Sequence, residues 1–384
     1  MTLAARTGAG DRPVRLSAAM IVRDEERFLP DCLRSLAGVA DEVVVVDTGS
    51  VDATPDIARA HDVRLFQRPW AGDFAAARNH ALDLCTGEWI LYIDADERLL
   101  PADREQLAAA LAAPDVVACN LWFSARVGQT PYSEMRVWRN DPRLRFRGCI
   151  HETIRPAVAE VAARDGLRIG ECPLEIQHLG YEDRQEAKHR RNLPLLLRRV
   201  REDPGNVFNW CHLARVHIGL GEREAGQAAF RRAVQAARDS ARPRPQDGQA
   251  FAELAQSLAA GGGPEQLAEA ERLVDEGLER HPRNLFLSWV RANLLMARSR
   301  HAAALPVLEA LAAIDAETFR DPYIGYDKRI FGVFAYEALA LCHFRLERYA
   351  EAARWYVRAF QAAPDRMDYE LRRRVAEGRL RRTA

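Results

Sequence analysis

The sequence has no excess of charge, no long apolar run and no paired cysteines, and each absence removes a class of function. Lys plus Arg number 55 and Asp plus Glu 55, so no bulk positive field exists to hold a phosphate backbone, and nucleic acid is not a favoured partner. Nowhere do about 18 apolar residues run unbroken, which excludes a membrane-spanning helix. Met1 to Pro13 is Gly/Ala-rich, carries Arg6, Asp11 and Arg12, and lacks the apolar stretch of a secretory signal; it reads as a frayed tail on a cytoplasmic protein. The seven cysteines, Cys32, Cys85, Cys119, Cys149, Cys172, Cys211 and Cys342, are odd in number and never spaced C-x-x-C. Neither a zinc site nor a disulfide framework is expected, and Cys32 and Cys211 sit among apolar helical positions where a thiol packs as a small hydrophobe. There is no G-x-x-x-x-G-K-[ST] loop and no G-x-G-x-x-G after the first predicted strand, against a P-loop NTPase or a dinucleotide oxidoreductase. What is present is a chain of 384 residues, 48% hydrophobic and 29% charged, the composition of a soluble globular protein with two or three domains.

From Val14 to about Phe123, short β-rich runs alternate with helical periodicity, the pattern of a mainly parallel sheet flanked by helices. The runs are Leu16 to Val22, Glu42 to Asp47, Val63 to Phe66, Trp89 to Asp94 and Val116 to Phe123. Phe28, Leu29, Cys32, Leu33 and Leu36 form one apolar stripe of an intervening helix. A second helix starts at Asp52 as N-cap with Pro55 in its first turn. Past Tyr181 the strands stop. A basic helix over Gln185 to Arg199, with a kink expected at Pro194, leads into helical repeats. Tyr336, Leu339, Ala340, His343, Ala352, Tyr356, Ala359 and Pro364 fall at the spacings of the tetratricopeptide pattern of about 34 residues, and Trp210, Leu213, Ala214, His217, Gly226, Phe230 and Ala233 fit the same template. Weaker copies run from Phe251 to Pro282 and around Ser288 to Leu311. The Pro-rich segment Ala241 to Gly248 reads as an exposed loop. The predicted organisation is a tail over 1–13, an α/β domain over 14–181, a linker helix over 182–203 and an all-α repeat domain over 204–384.

In an open α/β sheet, ligands bind beyond the carboxyl ends of the strands. Three predicted strands end in acids: Arg23-Asp24-Glu25-Glu26, Asp47-Thr48-Gly49-Ser50 and Asp94-Ala95-Asp96-Glu97. Each cluster alone also reads as loop charge or helix cap; three on one rim point to a ligand. Asp94 and Asp96, separated by one small residue, suit a hard divalent cation that shares its shell with a diphosphate.

The residues resemble a known family. Met20-Ile21-Val22-Arg23-Asp24-Glu25-Glu26, Val44-Val45-Val46-Asp47-Thr48-Gly49-Ser50, Asp73-Phe74-Ala75-Ala76-Ala77-Arg78-Asn79, Trp89 to Glu97, Phe146 to Glu152 and Gln177 to Tyr181 look like the ordered blocks of the nucleotide-sugar-dependent glycosyltransferases of family 2, with the GT-A fold. With the tetratricopeptide-like half, the whole chain is similar to the subgroup that contains peptide S-glycosyltransferases of glycosylated bacteriocin pathways. It departs from that subgroup in reading Arg23-Asp24 for Lys-Asn and Val51 for Thr; an acid at Asp24 removes amide donors beside the nucleotide. The resemblance implies that Ile21 and Glu25 hold base and ribose, Asp47 accepts from the pyrimidine ring, and Arg78 meets base or diphosphate. Asp94 would touch ribose or metal, Asp96 would ligate the metal, and His178 would close its shell, which tilts preference from Mg2+ toward Mn2+. A structural ion pair is the other reading of Arg78, and a structural histidine that of His178.

A sugar moved by single displacement needs a base for the acceptor proton. Glu152, in a stretch without helical period, is the candidate; its alternative role is an ion pair with Arg147 or Arg155. Trp70, Phe74 and Tyr181 are candidates for stacking on sugar or base, or for core packing. The resulting expectation is a metal-dependent, inverting glycosyltransferase using a nucleotide-diphosphate sugar, UDP-sugar favoured, on a hydroxyl or thiol. Concave repeat surfaces favour a peptide or protein acceptor. The alternatives are a saccharide or lipid-linked acceptor, with Arg372 to Arg374 and Arg379 to Arg382 near anionic lipid, and repeats that dimerise the enzyme. A sugar nucleotidyltransferase would show a Gly-rich basic loop where Arg23 to Glu26 stand, and a decayed scaffold would lack the site residues.

Overall fold

The computed structural model describes residues 16–179 and 185–383. The predicted tail at Met1 to Pro13 and Tyr181 lie outside the described residues. The chain divides into two compact units, one built from residues up to Phe123 together with the sheet residues from Ser133 onward, the other from Ser124–Tyr132 and the chain from the helix Gln185–Glu202 onward. The division is therefore not a single cut, and the helix set apart as a linker belongs to the second unit.

The first unit is an eight-stranded sheet with helices. Its strands are β1 (Leu16–Val22), β2 (Glu42–Asp47), β3 (Arg64–Gln67), β4 (Trp89–Tyr92), β5 (Glu97–Leu99), β6 (Val116–Ser124), β7 (Tyr132–Arg139) and β8 (Arg168–His178), and its helices α1 (Leu29–Leu36), α2 (Thr54–Arg59), α3 (Phe74–Leu84), α4 (Arg104–Ala112) and α5 (Arg155–Asp165). The strand order is β3-β2-β1-β4-β7-β6-β8-β5. β1 pairs in parallel with β2 and β4, and β2 with β3. β4 meets β7, and β5 meets β8, antiparallel. The sheet is thus mixed rather than mainly parallel: β5, β7 and β8, which lie outside the predicted runs, bring in antiparallel pairing. The continuous apolar runs of β1 and β2 follow from burial on both faces. In α1 the apolar stripe is as predicted, with Leu29, Cys32, Leu33 and Leu36 buried. Asp52 stands one residue ahead of the N-cap of α2; its Oδ1 accepts the Thr54 N–H at 2.9 Å. All seven cysteines are buried.

The second unit stacks helices in pairs: α6 (Gln185–Glu202), α7 (Val207–Gly219), α8 (Arg223–Asp239), α9 (Gly248–Ala259), α10 (Pro264–Arg280), α11 (Leu285–Ala297), α12 (His301–Ala312), α13 (Val333–Arg345), α14 (Tyr349–Ala362) and α15 (Met367–Thr383). The four sequence repeats coincide with the pairs from α7/α8 to α13/α14. Gly226 is required where α8 crosses α7, since a Cβ there would sit 3.0 Å from the Ala214 carbonyl oxygen. Within the Pro-rich loop, Asp247 is buried and Gly248 already opens α9. Among the described residues, no helix is long and apolar enough to cross a membrane.

The β6–β7 loop belongs to this second unit. Gln129 bridges Asp327 in antiparallel fashion. The Thr130 N–H donates to the Tyr326 carbonyl at 2.8 Å, and the Tyr326 N–H donates to Thr130 Oγ1 at 2.9 Å. Thr130 has no exposed surface and Tyr326 only 2%, so the loss of one partner leaves a donor unsatisfied away from water. Thr130→Val is expected to destabilise the helical unit by about 1–3 kcal/mol. Thr130→Ser, which keeps the oxygen, should cost clearly less. Urea titrations followed by far-UV circular dichroism check this, and equal stability of Val and Ser variants would dismiss the bond.

Candidate active site

The rim beyond β1, β2 and β4 is built from loops that hold one another. After β1, Asp24 adopts φ 55°, a conformation tolerated by Asp. Its backbone N–H donates to Ser50 Oγ at 3.0 Å and its carboxylate accepts the Val51 N–H at 2.8 Å. The acid at this departure from the family thus ties the first loop to the second. Glu25 donates its N–H to Thr54 Oγ1 at 2.7 Å. Asp47, 3% exposed, accepts from the Ser50 N–H at 3.1 Å and its hydroxyl at 2.5 Å. Ile21 and Arg78 line one hollow with Met20, Tyr92 and Phe146.

Arg78 is at the centre of this rim. It projects from the first half of α3, whose N-cap Asp73 accepts the Ala76 N–H at 2.9 Å. Arg78, 8% exposed, donates from Nη1 and Nη2 to the two oxygens of Asp94 at 2.9 and 3.3 Å, and from Nε to Glu152 Oε1. It lies 4.0 Å over the Tyr92 ring, whose hydroxyl donates to Asp94 at 2.8 Å. Burial opposes the charge on both partners, but Arg78 and Asp94 outweigh it for each other: Arg78 is held well above its ordinary pKa and the Asp94 carboxyl below its own.

Glu152 reaches Arg78 because its loop is fixed at three points. The Asn79 amide accepts the Phe146 N–H at 2.8 Å and donates to the Phe146 carbonyl at 3.0 Å. Phe74 N–H donates to the Cys149 carbonyl at 3.0 Å, and Arg147 and Thr153 exchange two backbone bonds of 3.0 Å. The partner of Glu152 is accordingly Arg78, while Arg147 forks onto Glu160 at 2.8 Å. Among the described residues Glu152 Oε2 makes no hydrogen bond.

Beyond β4, Asp96 Oδ2 stands 3.0 Å from His178 Nε2. Burial disfavours the charged imidazole, yet the hydrogen bond and charge of Asp96, with Glu97 and Asp94 behind it, raise the His178 pKa. Of the three side chains expected around one cation, the structure brings these two together and turns Asp94 onto Arg78 and Tyr92. Among the described residues no three His, Cys, Asp or Glu side chains gather as a metal cage. Two protein ligands still fit a hard cation, which commonly takes its other oxygens from phosphate and water. Trp70 and Phe74 pack edge to face, ring centroids 4.6 Å apart. Sequence reasoning missed Arg136, which forks onto Glu97 at 3.0 and 3.3 Å under the acidic turn.

This arrangement agrees with a match to the glycosyl transferase family 2 model over residues 17–163. The first unit is a family 2 glycosyltransferase domain. A tetratricopeptide model matches residues 209–240. The chain is 40% identical over 176 residues to a TPR repeat-containing protein of Synechococcus elongatus, covering 45% of this chain and 44% of the relative. It is 27% identical over 200 residues to the SPbeta prophage-derived glycosyltransferase SunS of Bacillus subtilis, covering 50% and 46%. It is 39% identical over 122 residues to the lipopolysaccharide core biosynthesis glycosyltransferase LpsC of Rhizobium meliloti, covering 30% and 43%. The chain thus spans less than half the length of these curated relatives.

Arg78 sets a pH-dependent stability in the transferase domain. In the parent, the lowered Asp94 pKa contributes stability that is complete above the ordinary carboxylate value of about 4 and lost as pH falls through the folded value. In Arg78→Met, burial acts on Asp94 with its main counter-charge gone, the folded pKa rises, and stability falls as pH rises above about 4. The variant should be destabilised by about 3–5 kcal/mol at pH 7 and by less at pH 5. Urea midpoints at both pH values measure this, and a gap that does not narrow on acidification would contradict it.

Proposed function

We propose that the protein is a metal-dependent, inverting glycosyltransferase that moves a sugar from a nucleotide-diphosphate donor, UDP-sugar favoured, to a thiol or hydroxyl of a peptide or protein. The observation that supports it best is the Arg78 cluster, with Asp94 and Glu152 on one guanidinium, beside the Asp96–His178 pair at the strand ends of a family 2 transferase domain. The rim is rich in carboxylate: among the described residues Asp94, Asp96 and Glu152 gather there, where the Arg78 guanidinium answers two of them and Arg98 bonds the Ala95 carbonyl. A diphosphate entering alone would meet net repulsion, so a divalent cation, Mn2+ or Mg2+, is the expected companion of the donor.

Asp96 and His178 would hold that cation, which when bound would neutralise diphosphate charge. Asp47 offers an acceptor to the imide N–H of a pyrimidine, and Ile21 and Glu25 lie at the end of β1 for base and ribose. Glu152 takes the acceptor proton through Oε2 while Oε1 stays on Arg78. The acceptor sulfur or oxygen forms its bond to the anomeric carbon, the bond from that carbon to the diphosphate oxygen breaks with its electron pair, and the anomeric centre inverts. The tetratricopeptide array supports a polypeptide acceptor, since stacked repeats of this kind present extended surfaces. The resemblance to the LpsC relative supports a saccharide acceptor as the second reading.

Release of nucleoside diphosphate from a panel of nucleotide sugars, with Mn2+ or Mg2+ and with chelator, tests the reading. One donor should be cleaved only with metal; release of none under any condition would defeat it. Asp96→Ala should abolish metal-stimulated donor binding in calorimetry while the circular dichroism spectrum stays parental. Glu152→Gln, which keeps an oxygen for Arg78, should lower turnover by about two to four orders of magnitude with donor KM nearly unchanged. Parental turnover in that variant would move the base elsewhere.

A further inference from the structure

Under the acidic turn lies an ion pair that the chemistry above does not use. Glu97 is 1% exposed and Arg136 5%. The Arg136 guanidinium reaches Glu97 at 3.0 and 3.3 Å and Glu134 at 3.3 Å, and it lies against two rings, Tyr92 at 4.3 Å and Phe123 at 4.5 Å. With these partners its orientation is set by packing as well as by charge. Glu97 Oε2 accepts the Asp94 N–H at 2.9 Å, and the Glu97 N–H donates to the Asp94 carbonyl at 3.0 Å. The turn Asp94-Ala95-Asp96-Glu97 is therefore closed from both ends by one residue.

The same residue registers the turn against β8. Glu97 stands opposite His178 in the β5–β8 pairing, and the Leu179 N–H donates to the Asp96 carbonyl at 2.8 Å. A buried ion pair is on average no more stabilising than apolar side chains of similar volume. Its geometric consequence here is specific: the carboxylate that Arg136 orients is the one that fixes the backbone on which Asp96 faces His178.

We propose that Arg136 and Glu97 are positioning residues, an ion pair that sets the acidic turn and thereby holds Asp96 against His178 in the arrangement that takes the cation. The proposal rests on reading Asp96 and His178 as the cation site. Arg136 does not touch the cation or the donor in this reading; it acts through Glu97 and the turn.

Three measurements on the full chain test it: ring 15N resonances of His178 in metal-free protein, assigned by their loss in His178→Ala; Mn2+ titration followed by the electron paramagnetic resonance of free Mn2+; and thermal melting. Arg136→Met should shift the His178 Nε2 resonance away from its hydrogen-bonded position and weaken Mn2+ binding about 10- to 100-fold, the range for residues that orient metal ligands. Arg136→Lys, which keeps charge and one donor, should restore part of both. The double variant Glu97→Gln/Arg136→Met removes the unpaired buried charge and should melt close to the parent while Mn2+ binding stays weak. Should the double variant recover both the parental His178 resonance and parental Mn2+ binding, the pair is structural only and the proposal is overturned. If the parent itself takes up no Mn2+, the cation reading fails, and the His178 resonance alone decides whether Arg136 positions the pair.

Discussion

A buried arginine on α3 is the constraint from which the rim of the transferase domain is organised. Arg78 has almost no contact with water, and a guanidinium cannot shed its proton at any accessible pH. The fold must therefore bring anions to it. Asp94 comes from the end of β4 and Glu152 from the loop after β7, 16 and 74 residues along the chain. Both segments are drawn onto the same turn of α3, and Tyr92 covers the face of the guanidinium while it donates to Asp94. The helix start is fixed by Asp73, the loop by Asn79, and the strand end by Tyr92. Each of these contacts is modest by itself; the cost of leaving Arg78 without partners makes them act together.

The constraint continues downward through the backbone. From Leu91 to Leu99 burial alternates, with Leu91, Ile93, Ala95, Glu97 and Leu99 inside. Glu97 occupies a core phase in that pattern, so its carboxylate points away from the rim and needs a counter-charge. β7 supplies one in Arg136, because β7 lies against β4 in antiparallel register. Burial, reinforced by Asp94 and Asp96 and opposed by Arg136, pushes the Glu97 carboxyl up to about 7. The outer acids stand at the rim and the inner one closes the turn, a division that strand alternation imposes rather than one that composition could reveal.

This explains which parts of the site were legible in the sequence. β1, β2 and the four helical repeats declare themselves by local pattern, since apolar runs and 3.6-residue stripes are written within a few residues of each other. Asp47, Asp94 and Asp96 are visible because acids that end apolar runs are conspicuous. The partners of these acids are not, because pairing between residues 78, 94 and 152 depends on sheet order, which no local window contains. The alternative role of Glu152, an ion pair with Arg147 or Arg155, draws on residues nearby in sequence; the tertiary partner, Arg78, overrides them. Glu97 had a signal, its phase with Leu91, Ile93 and Leu99, but beside Asp94 and Asp96 it reads as one more acid of the cluster. β7 and β8 were lost because their alternating charged residues, Glu134, Arg136, Glu171 and Glu175 among them, dilute the strand pattern.

The helical unit is kept in register by a different device. Arg215 pairs with Glu253, Arg231 with Glu269 and Arg238 with Glu276, each 38 residues apart. The partners lie on α7 and α9 or on α8 and α10, one repeat onward. Such exposed pairs add little stability individually, but an equal spacing in all three makes a shift by one helical turn break them together. Stability of the stack comes instead from small residues such as Ala214, Ala233 and Gly226 at the helix crossings. The Ser124–Tyr132 segment is bonded into this stack through Thr130 and Tyr326. It is also the covalent lead into β7, four residues short of Arg136.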